Sequence, residues 1–196
     1  MPRNATTPSG LLPRLALAAL LTACSSGQEE REGAATTPAG APAAAAAPAA
    51  KIGYDLRRLR PRDGETLEAM FERLRARALS DGKRVAVLFS ADWCAPCKRI
   101  EAELGSLQPA EQIADVRIFE LKEEDWTEAT RMDEFNALRT RWYPKTGSYP
   151  VLVLLDDDGA KIEEMKEAIE RLEGDGVEPT LPNWFASSRQ STSRSG

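Results

Sequence analysis

The chain predicts an α/β domain in which a central sheet carries helices on its faces. Two apolar runs, residues 85–89 and 150–155, have the length and the bounding turn signals of strands buried on both sides. Around them, apolar residues recur at helical spacing. The resulting order, strand–helix–strand–helix–strand, calls for a sheet covered by helices and a right-handed first crossover.

Each element has its own argument. Residues 64–80 place Leu67, Met70, Phe71, Leu74 and Ala78 on one helical face with arginines opposite. Asp81-Gly82 then turns the chain into a strand over 84–91. A helix follows over about 94–107, with Pro96 tolerated in its first turn. Residues 116–122 alternate as a half-buried strand. A third helix, about 127–141, presents Ala129, Met132, Phe135 and Leu138, with Trp126 and Trp142 as core residues at its edges. The acidic run Glu123-Glu124-Asp125 before it reads as a solvated turn or helix start. The strand over 150–155 closes at Asp157-Asp158-Gly159. Beyond that turn, Ile162, Met165, Ile169 and Leu172 fit a helix over 161–169, followed by a short edge strand at 170–173. A hairpin is the competing reading. The ordered domain is expected over 52–185, with a Ser/Arg-rich disordered tail over 186–196.

Composition excludes several kinds of function. Of 196 residues, 26 are Lys or Arg and 31 are Asp or Glu, a net charge of −5 with no basic block. Nucleic-acid binding would need a basic face to release counterions from phosphates. Histidine is absent, which removes His-ligated metal sites and Cys-His or Ser-His catalytic pairs. Three cysteines remain, Cys24, Cys94 and Cys97.

Residues 1–23 have the order of a secretory signal: Arg3 and Arg14, an apolar stretch over 15–21, then small residues. The apolar stretch is well short of the roughly 20 residues that span a bilayer. Its end, Leu21-Thr22-Ala23-Cys24, resembles the bacterial lipobox. That resemblance implies cleavage before Cys24, acylation of its thiol and a membrane anchor; a plain secretory signal with a chance cysteine is the alternative. Two or three acyl chains hold stably where one does not. Loss of two arginines leaves the mature chain more acidic still, so its own surface has no attraction for anionic lipid. Residues 24–51 then read as an Ala/Pro-rich flexible linker with a coil span of roughly 30 Å. Pro38, Pro42 and Pro48 interrupt any helix the alanines favour.

The chemistry sits in Ser90-Ala91-Asp92-Trp93-Cys94-Ala95-Pro96-Cys97-Lys98. A buried strand ends, a short turn follows, and a helix begins with two cysteines at i and i+3. At a helix N-terminus, unpaired backbone N–H groups and the helix dipole stabilise a thiolate. Cys94 is therefore expected to be the exposed attacking thiol and Cys97, one turn deeper, the resolving thiol. A zinc half-site would need two further ligands that a chain without histidine does not supply. A structural disulfide across so small a loop would constrain little of the unfolded chain.

Trp93-Cys94-Ala95-Pro96-Cys97-Lys98 resembles the active-site motif of the thioredoxin superfamily, with the buried strand in its place before it. Tyr149-Pro150-Val151, opening a buried strand, is similar to that family's cis-proline segment. The resemblance covers about residues 80–175. It implies a thioredoxin-like fold, a central mixed sheet with helices on both faces, and a cis Pro150 facing the disulfide. It also implies supporting roles for Trp93, Ala95, Pro96 and Tyr149 and no cofactor beyond the redox-active pair. Within the superfamily, Phe89-Ser90-Ala91-Asp92-Trp93-Cys94 and Lys98-Arg99-Ile100-Glu101 look like the branch of the DsbD C-terminal domain. In that branch a glutamate at the Glu101 position lies near the active site. Here Glu101 shares a helix face with both cysteines, and a solvated helix residue is the equal alternative. One departure matters. Thioredoxin buries an aspartate beneath the disulfide, and the matching position is Leu88, so a proton acceptor for Cys97 must come from elsewhere or from water.

The expected function is thus a membrane-tethered thiol–disulfide oxidoreductase of the bacterial cell envelope. Its expected partners are disulfide-containing protein substrates and a transmembrane electron donor, with no nucleic acid. A non-catalytic binding module and a thiol oxidase or isomerase are the alternatives. Ala95-Pro96 puts no charge between the cysteines, and a less stabilised thiolate means a less oxidising disulfide, which favours reduction. A copper chaperone of this fold would need a histidine ligand.

Overall fold

The computed structural model describes residues 50–145 and 147–192. Along the chain, β1 (Lys51–Ile52), β2 (Asp55–Arg58) and α1 (Leu67–Ser80) precede β3 (Arg84–Ser90). Next come α2 (Ala95–Leu104), β4 (Gln108–Pro109), α3 (Ala110–Ile113) and β5 (Val116–Lys122). Then follow α4 (Glu123–Glu128), α5 (Met132–Thr140), β6 (Val151–Leu155) and β7 (Lys161–Glu164). Helices α6 (Met165–Gly174) and α7 (Leu181–Thr192) close the described chain. No helix among the described residues is long and apolar enough to cross a membrane.

Five strands form one mixed sheet in the order β2-β5-β3-β6-β7, and β1 pairs with β4 in a separate two-stranded piece. Strands β2, β5 and β3 are parallel, and β6 runs antiparallel to both β3 and β7. Side-chain alternation along the central strands builds two cores. Val85, Val87 and Phe89 of β3 join Phe119, Leu121, Phe71, Phe135 and Trp142 on the side of α1, α4 and α5. Ala86 and Leu88 join Ile118, Leu152, Ile100, Leu172 and Trp184 on the side of α2, α6 and α7. The expected sheet with helices on both faces is present, and β3 is buried on both sides as its apolar run requires.

Several expectations need correction. Strand β5 is buried almost throughout rather than half-buried, because Phe119 and Leu121 face one helix-covered core and Val116 and Ile118 the other. The third helix is two helices, divided at Thr130, whose φ is +57°. After Gly159 the order is the reverse of that expected: strand first, then helix. Asp156 Oδ1 accepts the N–H groups of Asp158 and Ala160 and tightens the turn into a hairpin. Glu164 and Glu167 then form a capping box that starts α6, a signal the apolar spacing hid. The linker ends earlier than expected, since the Ala50 carbonyl already accepts from Ala110 N and Lys51 belongs to β1.

The tail expected over 186–196 is helical as far as Thr192. Ser188 is buried there because Arg84 reaches across from β3. Its guanidinium donates to Ser188 Oγ at 2.7 Å, to the Phe185 carbonyl at 2.8 Å and to Asp115 at 2.8 Å. The expected signal over 1–23, Cys24, most of the linker and residues 193–196 lie outside the described residues.

Arg84 therefore fastens α7 to the sheet. Arg84→Ala should lower stability by about 2 kcal/mol, since it leaves partly buried acceptors without their charged donor. Urea unfolding checks the loss, and hydrogen exchange should rise first in α7.

Candidate active site

Parallel β3 and β5 end at the same edge of the sheet, and antiparallel β6 begins there, with Phe89 opposite Val151. The loop after β3 and the segment before β6 thus meet. Cys94 is the N-cap of α2, with extended backbone, and its own N–H donates to the Ala91 carbonyl. Its sulfur accepts from Cys97 N at 3.2 Å and is joined to Cys97 in a disulfide whose Cα atoms lie 5.2 Å apart. Ala95 and Pro96 form the first turn, where proline's missing N–H costs nothing.

The peptide between Tyr149 and Pro150 is cis, as the resemblance implies. Tyr149 packs on the small cluster of Ala91, Cys94 and Cys97. Both cysteines are buried in this oxidised form, Cys94 3% and Cys97 1% exposed, so the expectation of an exposed Cys94 is corrected. Trp93 is itself 65% exposed and meets the Tyr149 ring edge-on at 5.7 Å. Its indole N–H donates to Glu123 at 3.3 Å. Burial, then the Glu123 carboxylate, push the Tyr149 phenol up to about 12. Beside the disulfide lies an apolar groove of about 290 Å³, lined by Pro96, Ile100, Pro150, Met165, Leu172 and Trp184 among others.

Glu101 is not a free surface residue. Its carboxylate pairs with Lys122 Nζ at 2.9 Å, and Lys122 also holds Asp92 at 2.6 Å. Burial works against the Lys122 ammonium, but Asp92 and Glu101 outweigh it and raise its pKa. The Lys122 bond holds the Asp92 carboxyl below its ordinary range. The acidic run is likewise engaged. Besides Glu123 on Trp93, Glu124 accepts from Asp92 N at 2.8 Å and Asp125 accepts from Arg58 at 2.7 Å.

Two contributors escaped the sequence reading. Arg139 of α5 is buried, donates to the Ser148 carbonyl at 2.8 Å and lies 5.1 Å from the Tyr149 ring centroid, holding the cis-proline segment. Its signal, a cation inside an apolar helical face, was present but unassigned. Glu120 is the other, buried beside Ser90 on the α2 side of the sheet. A glutamate where the β5 alternation demands an apolar residue was the available sign.

This arrangement, a disulfide at the start of a helix that covers the end of a buried parallel strand, defines the class. Residues 71–171 match the family model of the thioredoxin-like domain, about half the chain, and the chain belongs to that family. It is a thiol–disulfide oxidoreductase, with Cys94 and Cys97 as its disulfide. Among solved structures it is similar to a disulphide isomerase from Xylella fastidiosa Temecula1, at 16% identity, 67% of this chain, 98% of that one and a TM-score of 0.45. It is also similar to the oxidised DsbD C-terminal domain of Neisseria meningitidis, at 24% identity, 50% and 82% coverage and a TM-score of 0.38. A thioredoxin h from poplar follows at 19% identity, 56% and 81% coverage and a TM-score of 0.36. No curated protein matches the chain.

The buried Glu120 carboxyl has a measurable consequence. Burial raises its pKa above the ordinary 4.5, with Glu101 adding to the shift and Lys122 and Arg58 opposing it. A raised folded-state pKa means stability that is full below the unfolded value and is lost as pH rises through the folded one. Glu120→Gln removes this loss. The stability of the variant relative to the parent should therefore grow as pH rises from about 4.5 and then level off; a flat difference in urea unfolding across that range would contradict the burial.

Proposed function

We propose that this chain is a lipid-anchored reductase of the bacterial cell envelope, which reduces protein disulfides through the Cys94–Cys97 dithiol. The observation that carries the reading is the place of Cys94 at the N-cap of α2. There the helix N–H groups and dipole favour the thiolate, and Cys97 N already donates to the sulfur.

In the reduced form the Cys94 thiolate attacks one sulfur of a substrate disulfide. That bond breaks, one substrate thiolate leaves, and Cys94 holds the other in a mixed disulfide. Cys97 then attacks Cys94 Sγ, closes the disulfide and releases the second substrate thiol. The substrate gains two electrons and the pair loses two, so each cycle needs a dithiol donor. For a membrane-tethered protein, a transmembrane thiol carrier fits that need. The apolar groove beside Pro150 suits the chain that flanks the substrate cysteine, and exposed Trp93 suits its rim. The lack of charge at Ala95 and Pro96 supports the reducing direction.

Two experiments test the reading. Cys97→Ser should accumulate mixed disulfides with envelope proteins on non-reducing gels, and Cys94→Ser should accumulate none; equal trapping by both would overturn the assignment. The full chain expressed in a bacterium should sediment with membranes, and Cys24→Ser should move it to the soluble fraction. A membrane-bound Cys24→Ser variant would refute lipid anchoring.

A further inference from the structure

One buried carboxylate beneath the active-site helix has no part in the exchange just described. On the face of the sheet that α2 covers, β3 presents Ala86, Leu88 and Ser90, and β5 presents Val116, Ile118, Glu120 and Lys122. The ladders set Glu120 in one row with Arg58 of β2 on one side and Leu88 of β3 on the other, with Leu152 of β6 beyond. The next row toward the active site is Ser90 with Lys122. Thus the charge absent at position 88 lies one strand over, in the same row.

The surroundings of Glu120 are those of a group kept available. It is 5% exposed, and Ser90 Oγ at 3.5 Å is a long hydrogen-bond donor to its Oε1. A buried carboxylate with so weak a partner costs free energy that an apolar residue would not, and the β3 and β6 places in the row are held by Leu88 and Leu152. The charged groups facing it are Arg58 from β2, Lys122 from β5 and Glu101 from α2. Arg58 is committed to Asp125, and Lys122 to Asp92 and Glu101. Glu101 lies one helical turn beyond Cys97, so the ion pair with Lys122 fixes the first turns of α2 over this part of the sheet. Cys97 is buried beside Ala91, the residue after Ser90.

We propose that Glu120 is the proton acceptor for Cys97 when Cys97 resolves the mixed disulfide. This rests on the roles assigned above to the two cysteines. The Cys97 S–H bond breaks and the proton passes to the Glu120 carboxylate. The freed electron pair forms the bond to Cys94 Sγ, and the bond from Cys94 to the substrate sulfur breaks. The substrate leaves as a thiolate that takes a proton from solvent, and Glu120 returns its own proton to solvent afterwards. Burial raises the Glu120 pKa toward that of a thiol, which makes the transfer less uphill.

The test uses the reduced full chain and dithiobis(nitrobenzoate). Attack by Cys94 releases one thionitrobenzoate, and resolution by Cys97 releases the second. With an internal acceptor, the second phase should be independent of pH from about 6 to 8 in the parent protein. In Glu120→Gln it should fall about tenfold per pH unit, because only thiolate formed by solvent can attack. At pH 6 it should be at least about tenfold slower relative to the first phase. A Glu120→Gln profile that superimposes on the parent would overturn the proposal. So would loss of the flat region in Glu101→Gln with its retention in Glu120→Gln, which would move the role to Glu101. Should Glu120→Gln not fold, the parent profile decides: a second phase rising about tenfold per pH unit throughout that range overturns it. Absence of the first phase from the parent is a separate outcome, which would overturn the assignment of Cys94.

Discussion

The pairing of β3 on both sides is the constraint from which the site follows. Parallel pairing with β5 brings their C-terminal ends level, and antiparallel pairing with β6 starts the return strand at that same edge. Once Phe89 lies opposite Val151, the turn into α2 and the cis peptide before Pro150 are neighbours. A slip of one residue in either register would turn Val87 and Phe89 from one core to the other and separate the two segments. The aromatic contacts on the α1 face resist that slip. Phe89 meets Phe135 edge-on at 5.4 Å, and Phe71 meets Trp142 at 5.3 Å.

At this end of the sheet, charge adds to the apolar packing of α2 in placing the active-site turn. Lys122 links the sheet to α2 through Glu101 and to the active-site turn through Asp92. Glu124 and Glu123 bind the Asp92 N–H and the Trp93 indole from α4. Apolar contacts would stabilise the same elements without selecting one arrangement, whereas these bonds have a direction and fix the first turn of α2 relative to the ends of β3 and β5. Arg139 does the same for the segment before Pro150 from the other core.

Legibility in the sequence followed the range of the interactions. Strands β3 and β6 announce themselves because both of their faces are buried, so the run itself is apolar. Helix α1 reads correctly from its spacing. Strand β2, with two exposed arginines, carries no such pattern and exists through its ladder to β5. The β7–α6 segment misled because Ile162, Met165 and Ile169 satisfy a helical period while the hairpin turn and the capping box decide the boundary. Residues 186–192 read as unstructured by composition, yet Arg84 supplies the partner that makes Ser188 part of a packed helix.

By itself the sequence determined the redox pair, its place at a helix start and the proline before a buried strand, because these depend on residues adjacent in the chain. The resemblance to thioredoxin added that Leu88 stands where that family buries an aspartate. Only the tertiary structure decided which carboxylate stands near that gap. Glu120 is far from Cys97 along the chain, and strand pairing alone brings it into the row of Leu88. The same holds for Glu101, whose ion-pair partner Lys122 lies far off in the chain and is brought to it by the packing of α2 on the sheet. Local propensity writes the elements. Long-range register and burial write the electrostatics of the site, since a charge acquires its role from the side chains and the dielectric that folding places around it.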